Sequence, residues 1–234
     1  MGKNKLCFVR LLIVFVRAMS SQMEERHLRF LDSENIPNSI ILTDDPMRVK
    51  MLVAHYLESA VLSGERRCLF SYTGKYRGVD IAVISSGFGE TAAETVLHEA
   101  ARLGARDVIY MGECISLSAA YELRQVVIAA GGDEDLLKSA RAASLQSSIP
   151  VHIQDVVTFD RYYLEGFKGE TPDGILDFAT GGVYRYAEEN GLAALSLLTV
   201  SENALTGERI DESERQSRFH SAAVLAFETL ATRA

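Results

Sequence analysis

The 234-residue sequence has only three cysteines, Cys7, Cys68 and Cys114. They are odd in number and scattered, so neither a disulfide framework nor a Cys/His zinc spacing can be drawn through them. A reducing compartment, the cytoplasm, is the expected location. Basic residues are also in deficit: 24 Lys and Arg stand against 32 Asp and Glu, a net charge of −8. Nucleic acid and anionic membrane both need a basic face, so neither is an expected partner. No linker, internal repeat or low-complexity tract divides the chain, and one domain is expected. No apolar run is long enough to span a bilayer. The best, residues 6–16, is short and carries Arg10 in its middle. Residues 1–22 are expected to be an N-terminal extension, either a weak signal segment or the product of an early start codon, with 23–234 as the domain.

What is present alternates between strand-like and helix-like periods. Residues 39–42 read as a short β run that ends at Thr43-Asp44-Asp45-Pro46. Met47, Val49, Met51, Leu52, Val53 and Leu57 then supply the buried side of a helix. Residues 69–76 and 79–85 read as paired strands with Arg77-Gly78 as a tight turn. Gly87-Phe88-Gly89 breaks the pattern before a helix over 91–103. Short strands are expected at 108–111 and 126–129, a helix at 133–146, and one strand over 151–158 after Pro150. A helix over 180–189 stops at Asn190-Gly191. A strand over 194–200 and a single amphipathic helix over 212–232 close the chain. This alternation predicts an α/β fold, a three-layer αβα sandwich around a central mixed β-sheet. In such folds ligands bind beyond the carboxyl ends of the strands. The loops to inspect therefore open at Thr43, Ser85, Met111, Thr158 and Thr199.

Four of these loops carry text that resembles one family. Leu42-Thr43-Asp44-Asp45-Pro46-Met47-Arg48 is similar to a G-D-P-x-R phosphate loop, and Ser85-Ser86-Gly87-Phe88-Gly89 to a glycine-rich G-x-G segment. Tyr110-Met111-Gly112-Glu113-Cys114 stands where that family has R-V-G-[ST]-C-G. Leu198-Thr199-Val200-Ser201-Glu202 resembles its T-V-S-D, and Glu214-Arg215-Gln216 its E-R-Q. Each motif is weak alone, but their order over roughly residues 25–230 resembles the hexameric-type purine nucleoside phosphorylases and the uridine phosphorylases.

The resemblance implies phosphorolysis of a purine (or pyrimidine) nucleoside to free base and ribose 1-phosphate. The C1′–N bond would break through an oxocarbenium-like state above a bound phosphate, with positioning and electrostatics supplying most of the rate. By resemblance, Arg48 binds phosphate in a site that Gly89, Asp44 and Glu113 also line, and Arg67 reaches phosphate in a neighbouring subunit. His27 touches the ribose 5′-hydroxyl across the interface, Tyr162 stacks near sugar or base, and Phe178 packs on the ribose. Glu202 stands for an aspartate general acid, with Arg215 paired to it. No metal or organic cofactor is implied, phosphate is the co-substrate, and a homo-oligomer (a dimer, or a hexamer as a trimer of dimers) is expected. Bland roles stand beside these: a solvated Arg48, Arg66 in place of Arg67, a packed His27, core aromatics, and an ordinary Glu202–Arg215 ion pair.

The departures fall on the chemistry. Asp44 replaces a glycine, Tyr110 an arginine, and Glu113 a serine or threonine. Ala179, in Asp177-Phe178-Ala179, replaces the glutamate that binds ribose hydroxyls, and Ala130-Gly131-Gly132-Asp133 runs straight to a helix where the family inserts a loop. A presumed anion site thus loses a cation and gains two carboxylates. Like charges about 4 Å apart repel by about 4 kcal/mol at an effective dielectric of about 20. The expectation is that Asp44 and Glu113 pair with Arg48 and Arg67 and fill the anion position from within. Three functions stay open: a phosphorylase, a nucleosidase-type hydrolase with Asp44 or Glu113 as general base, and a catalytically impaired or inactive family member.

Overall fold

The computed structural model describes residues 30–31, 35–159, 174–217 and 219–233. His27, Tyr162 and the extension over 1–22 lie outside them. The chain opens with β1 (Ser39–Thr43), α1 (Pro46–Tyr56), β2 (Glu58–Arg66), β3 (Leu69–Tyr76), β4 (Val79–Ser85) and α2 (Glu90–Leu103). It continues through β5 (Asp107–Ser116), β6 (Val126–Ala129), α3 (Glu134–Ser147), β7 (Val151–Gln154), β8 (Val156–Thr158) and β9 (Ile175–Asp177). It ends with α4 (Thr180–Asn190), β10 (Ala193–Asn203), β11 (Glu208–Arg209), α5 (Glu212–Ser217) and α6 (His220–Ala231).

Among the described residues, eleven strands form one mixed sheet, with the main path β2-β3-β4-β1-β5-β10-β6-β7. Strands β4, β1, β5 and β10 run parallel at its centre. Their middle residues are mostly apolar and buried on both faces, as parallel strands covered by helices require. Alternate side chains divide the core in two. Ile40, Leu42, Ala82, Ile84, Val108 and Leu198 pack with Ala93, Val96, Leu97 and Val183 of α2 and α4. Ile41, Ile81, Val83, Ile109, Met111 and Leu197 pack with Val49, Leu52, Leu136, Ala222 and Phe227 of α1, α3 and α6. The period-2 alternation of each strand thus specifies two helical layers around the sheet, an αβα sandwich.

Several expected elements take a different form. β2 was absent from the sequence reading because Glu58, Ser59, Ala60, Val61 and Leu62 are exposed on an edge strand, where no apolar alternation is required. The strand expected over 151–158 is two strands. β7 pairs with β6 and β8 with β9, so the chain changes partner at Asp155. The helix expected over 212–232 is also two, α5 and α6, with Phe219 buried between them. Finally, β5 and β10 outrun their expected ends at 111 and 200, so Glu113 and Glu202 lie on strands rather than in loops.

Candidate functional site

The parallel register brings four strand ends to one edge. Thr43 lies beside Ser85 on one side and Met111 on the other, and Met111 lies beside Leu197. The residues that follow each position meet in a crevice beyond the carboxyl ends of the strands, where α/β sheets place their ligands. α1 begins there. Asp45 caps it by accepting a hydrogen bond from the Met47 amide at 2.7 Å, and Pro46 presets its first turn. One turn later the helix delivers Arg48 back to the strand ends.

Arg48 is among the largest fully buried side chains, 1% exposed. Its Nη1 donates to Thr43 Oγ1 at 3.0 Å and forms a close ion pair with Asp44, itself 8% exposed. Its Nη2 donates to the Arg215 carbonyl at 3.3 Å, and its Cζ lies 4.4 Å from the centre of the Phe219 ring. Among the described residues, Arg48 Nε has no hydrogen-bond partner. Burial opposes the charge, but Asp44 and then Glu113 outweigh it, so the Arg48 pKa is raised. The cation is fixed, and its counter-ion comes from the residue after its own strand.

A second pair lies beside the first. Arg215 Nη1 donates to Glu113 Oε2 at 2.8 Å, and Arg215 Nη2 stands 4.0 Å from Glu202 Oε2. A β-bulge between Val200 and Glu202 sets Glu202 opposite Ile115 and turns it to the side where Glu113 stands. Burial, then the neighbouring Asp44, push the Glu113 pKa above the usual carboxylate range, while Arg48, Arg215 and a hydrogen bond from Ser201 pull it back. Tyr110, buried beside Asp44 and Asp177, is raised well above the usual phenol value, chiefly by burial. Its ring lies over Gly112, where a Cβ would come within 2.6 Å of Tyr110 Cε1. Two guanidiniums thus face three carboxylates, and the crevice carries one negative charge in excess.

The neighbouring wall is apolar. Phe178 is buried with Ile115 and Leu176, and Phe88, 46% exposed, packs on it with ring centres 5.0 Å apart. Asp177 turns inward. It accepts from Thr158 Oγ1 at 2.5 Å and from the Ala179 and Thr180 amides at 3.2 and 2.7 Å, closing the N-terminus of α4. Ala179 presents only a buried methyl. Gly89 caps α2 at φ 93°, a conformation that a side chain disfavours.

Arg48, Asp44, Glu113, Glu202 and Arg215 are therefore brought together, with Phe178 and Gly89 on the adjoining strand ends. Arg67 is not part of this cluster. It sits at φ 53° in the β2–β3 turn, with its guanidinium 5.7 Å from the Phe30 ring centre. The expected partner of Glu113 is corrected accordingly: it is Arg215, carried in by α5, and not Arg67. α5 is held in place by Glu214, which pairs with Arg124. Sequence reasoning missed Thr43, Ser201, Phe219 and Phe88. Thr43, Ser201 and Phe88 stood inside the quoted motifs without being given a role, and Phe219 left no signal. Among the described residues, no His/Cys/Asp/Glu group has a metal-binding arrangement, and no helix is long and apolar enough to cross a membrane.

An α/β sandwich with a charged crevice at the ends of its parallel strands defines a broad class, and comparison with known proteins narrows it. Residues 39–131 match the Phosphorylase superfamily. The DeoD-type purine nucleoside phosphorylase of Aliivibrio salmonicida is 29% identical over 217 residues, 82% of this chain and 92% of its own. That of Bacillus subtilis is 29% identical over 210 residues, 79% and 90% of the two chains. The crystal structure of purine nucleoside phosphorylase from Toxoplasma gondii in complex with immucillin-H has the same fold. Its TM-score is 0.79 at 18% identity, covering 88% of this chain and 98% of that one. The chain is thus similar to the phosphorylase superfamily over residues 39–131, and the relatives it resembles over most of its length are named purine nucleoside phosphorylases.

Proposed function

We propose that the chain binds a purine nucleoside in this crevice and cleaves its N-glycosidic bond with water, rather than phosphate, as acceptor. The nucleoside follows from the relatives' names. Water follows from one contact, the Asp44 carboxylate seated on the buried Arg48 guanidinium. An incoming phosphate must displace that carboxylate or share the cation with it. At about 4 Å and an effective dielectric of about 20, each like-charge contact opposes binding by about 4 kcal/mol before screening. Glu113 holds the second arginine in the same way. In this account Glu202, paired with Arg215, assists departure of the base, and Phe88 and Phe178 wall the sugar. Arg67 at the hairpin turn faces a second subunit in a homo-oligomer, and the protein works in the cytoplasm.

Phosphorolysis is the second reading, favoured by the relatives' names and by the presence of Arg48, Glu202 and Arg215. The Ala179 methyl, which offers no acceptor to a sugar hydroxyl, favours a third, a nucleoside-binding member without turnover. Incubation with adenosine, inosine and guanosine, with and without phosphate, separates them by chromatography of the released base. Release independent of phosphate is expected. Release only with phosphate would establish phosphorolysis, and none in either buffer would leave binding as the function.

A further inference from the structure

We infer that Glu113 is the group that takes the proton from the attacking water and that Arg215 positions it. The assignment rests on the hydrolytic reading above and chooses among the three carboxylates of the crevice. Asp44 is closed off: Arg48 and the Thr43 hydroxyl both hold Oδ1. Glu202 is the most exposed of the three at 28% and stands 4.0 Å from Arg215, too long for a hydrogen bond that would orient it. Glu113, unlike Glu202, has a directed contact, and unlike Asp44 it does not close off the Arg48 cation. Arg215 donates to its Oε2 at 2.8 Å. It projects from β5 between the Asp44–Arg48 pair and α5, so it borders the place that the sealed cation denies to phosphate.

The groups that face Glu113 define its proton affinity. Asp44 and Arg48 face it from the end of β1 and from α1, and Arg215 from α5. Tyr110 stands on its own strand, and Glu202, on β10, shares Arg215 with it. Burial and Asp44 outweigh Arg48 and Arg215, so Glu113 is a stronger base than an exposed glutamate. In the step itself, the water oxygen bonds to C1′ while the C1′–N bond breaks, and its electron pair leaves on the base nitrogen. The water proton passes to Glu113 and from there to solvent, and the departing nitrogen takes up a proton from solvent. The products are free base and free sugar. No co-reactant besides water is consumed.

The test is base release from adenosine, inosine and guanosine in phosphate-free buffer across pH, for wild type, Glu113→Gln and Asp44→Asn, with nucleoside binding measured separately by calorimetry. Wild-type turnover should rise with pH along a limb that lies above the ordinary glutamate value of 4.5. Glu113→Gln should lose about a hundredfold in kcat, a general-base-sized effect, while it keeps nucleoside affinity and loses the limb. Asp44→Asn removes a negative neighbour and turns Arg48 toward Glu113, so any limb it retains should move to lower pH. Should Glu113→Gln fail to fold by circular dichroism, Glu113→Asp serves instead. It keeps the charge but withdraws it, so kcat should fall with the limb retained. Wild-type turnover and pH profile in Glu113→Gln, or an unchanged kcat in Glu113→Asp, would overturn the assignment. Absence of phosphate-free release from the wild type would instead overturn the hydrolytic reading and this proposal with it.

Discussion

At the scale of single residues, the crevice is governed by charges that the chain supplies to itself. Arg48 and Asp44 form a buried pair, and removing one member leaves the other desolvated and uncompensated, at a cost of about 3–5 kcal/mol. Asp44→Ala should therefore lower the denaturation midpoint sharply, and millimolar phosphate should restore part of the loss by occupying the vacated place. Urea titration with and without phosphate reads both effects. Glu113 has the opposite sign. Its folded pKa lies above the value of 4.5 for the free side chain, so its contribution to stability is complete below that value and is lost as pH rises through the folded one. The melting temperature of Glu113→Gln relative to wild type should accordingly climb from pH 4.5 upward. A flat difference would contradict the environment assigned to Glu113. Gly112→Ala sets a Cβ against the Tyr110 ring, and overpacking of this kind costs about 1–3 kcal/mol. Tyr110→Ala in the same chain should relieve the clash. That Asp44, Tyr110 and Glu113 stand at the strand ends was legible in the sequence because flanking motif text marks their positions. The Asp44–Arg48 pair was legible too, but the partner of Glu113 was not, since Arg215 arrives from about a hundred residues away.

At the scale of elements, legibility follows the hydrophobic pattern. β1, β4 and the helix α2 could be read because both faces of the strands and one face of the helix are buried. The Arg77-Gly78 turn was legible for a different reason: both residues have positive φ, the conformation that two-residue hairpins demand. β2 left no such trace at the sheet edge, and the breaks at Asp155 and Phe219 reflect changes of packing partner, which one-dimensional periodicity does not encode. The end of α6 is fixed by charge. Arg233 Nε meets Asp107 at 3.0 Å and Nη1 meets Asp133 at 3.1 Å, joining the last helix to the starts of β5 and α3. Arg233→Ala would leave two partly buried aspartates facing each other without their cation. A loss of about 1–2 kcal/mol is expected, seen as faster amide exchange in α6, with stability lost most clearly above the Asp107 pKa. Unchanged exchange there would show that the clasp does no more than decorate the surface.

At the scale of the whole molecule, the chain shares the fold of a purine nucleoside phosphorylase of known structure, and the proposed function turns on the charges at the strand ends of that fold. The parallel strands, the two helical layers and the position of α1 follow from apolar patterning. The carboxylates on which the proposed function rests, Asp44 and Glu113, stand where charge decides what is bound. Fold and activity thereby become separable properties of the same chain. Titration of the wild-type protein with inorganic phosphate by calorimetry, alongside Asp44→Gly/Glu113→Ser, examines that separation. The account predicts no saturable heat from the wild type at millimolar phosphate and measurable binding by the double variant. Saturable wild-type binding at micromolar phosphate would contradict it, because an anion would then be seated where Asp44 is held to sit.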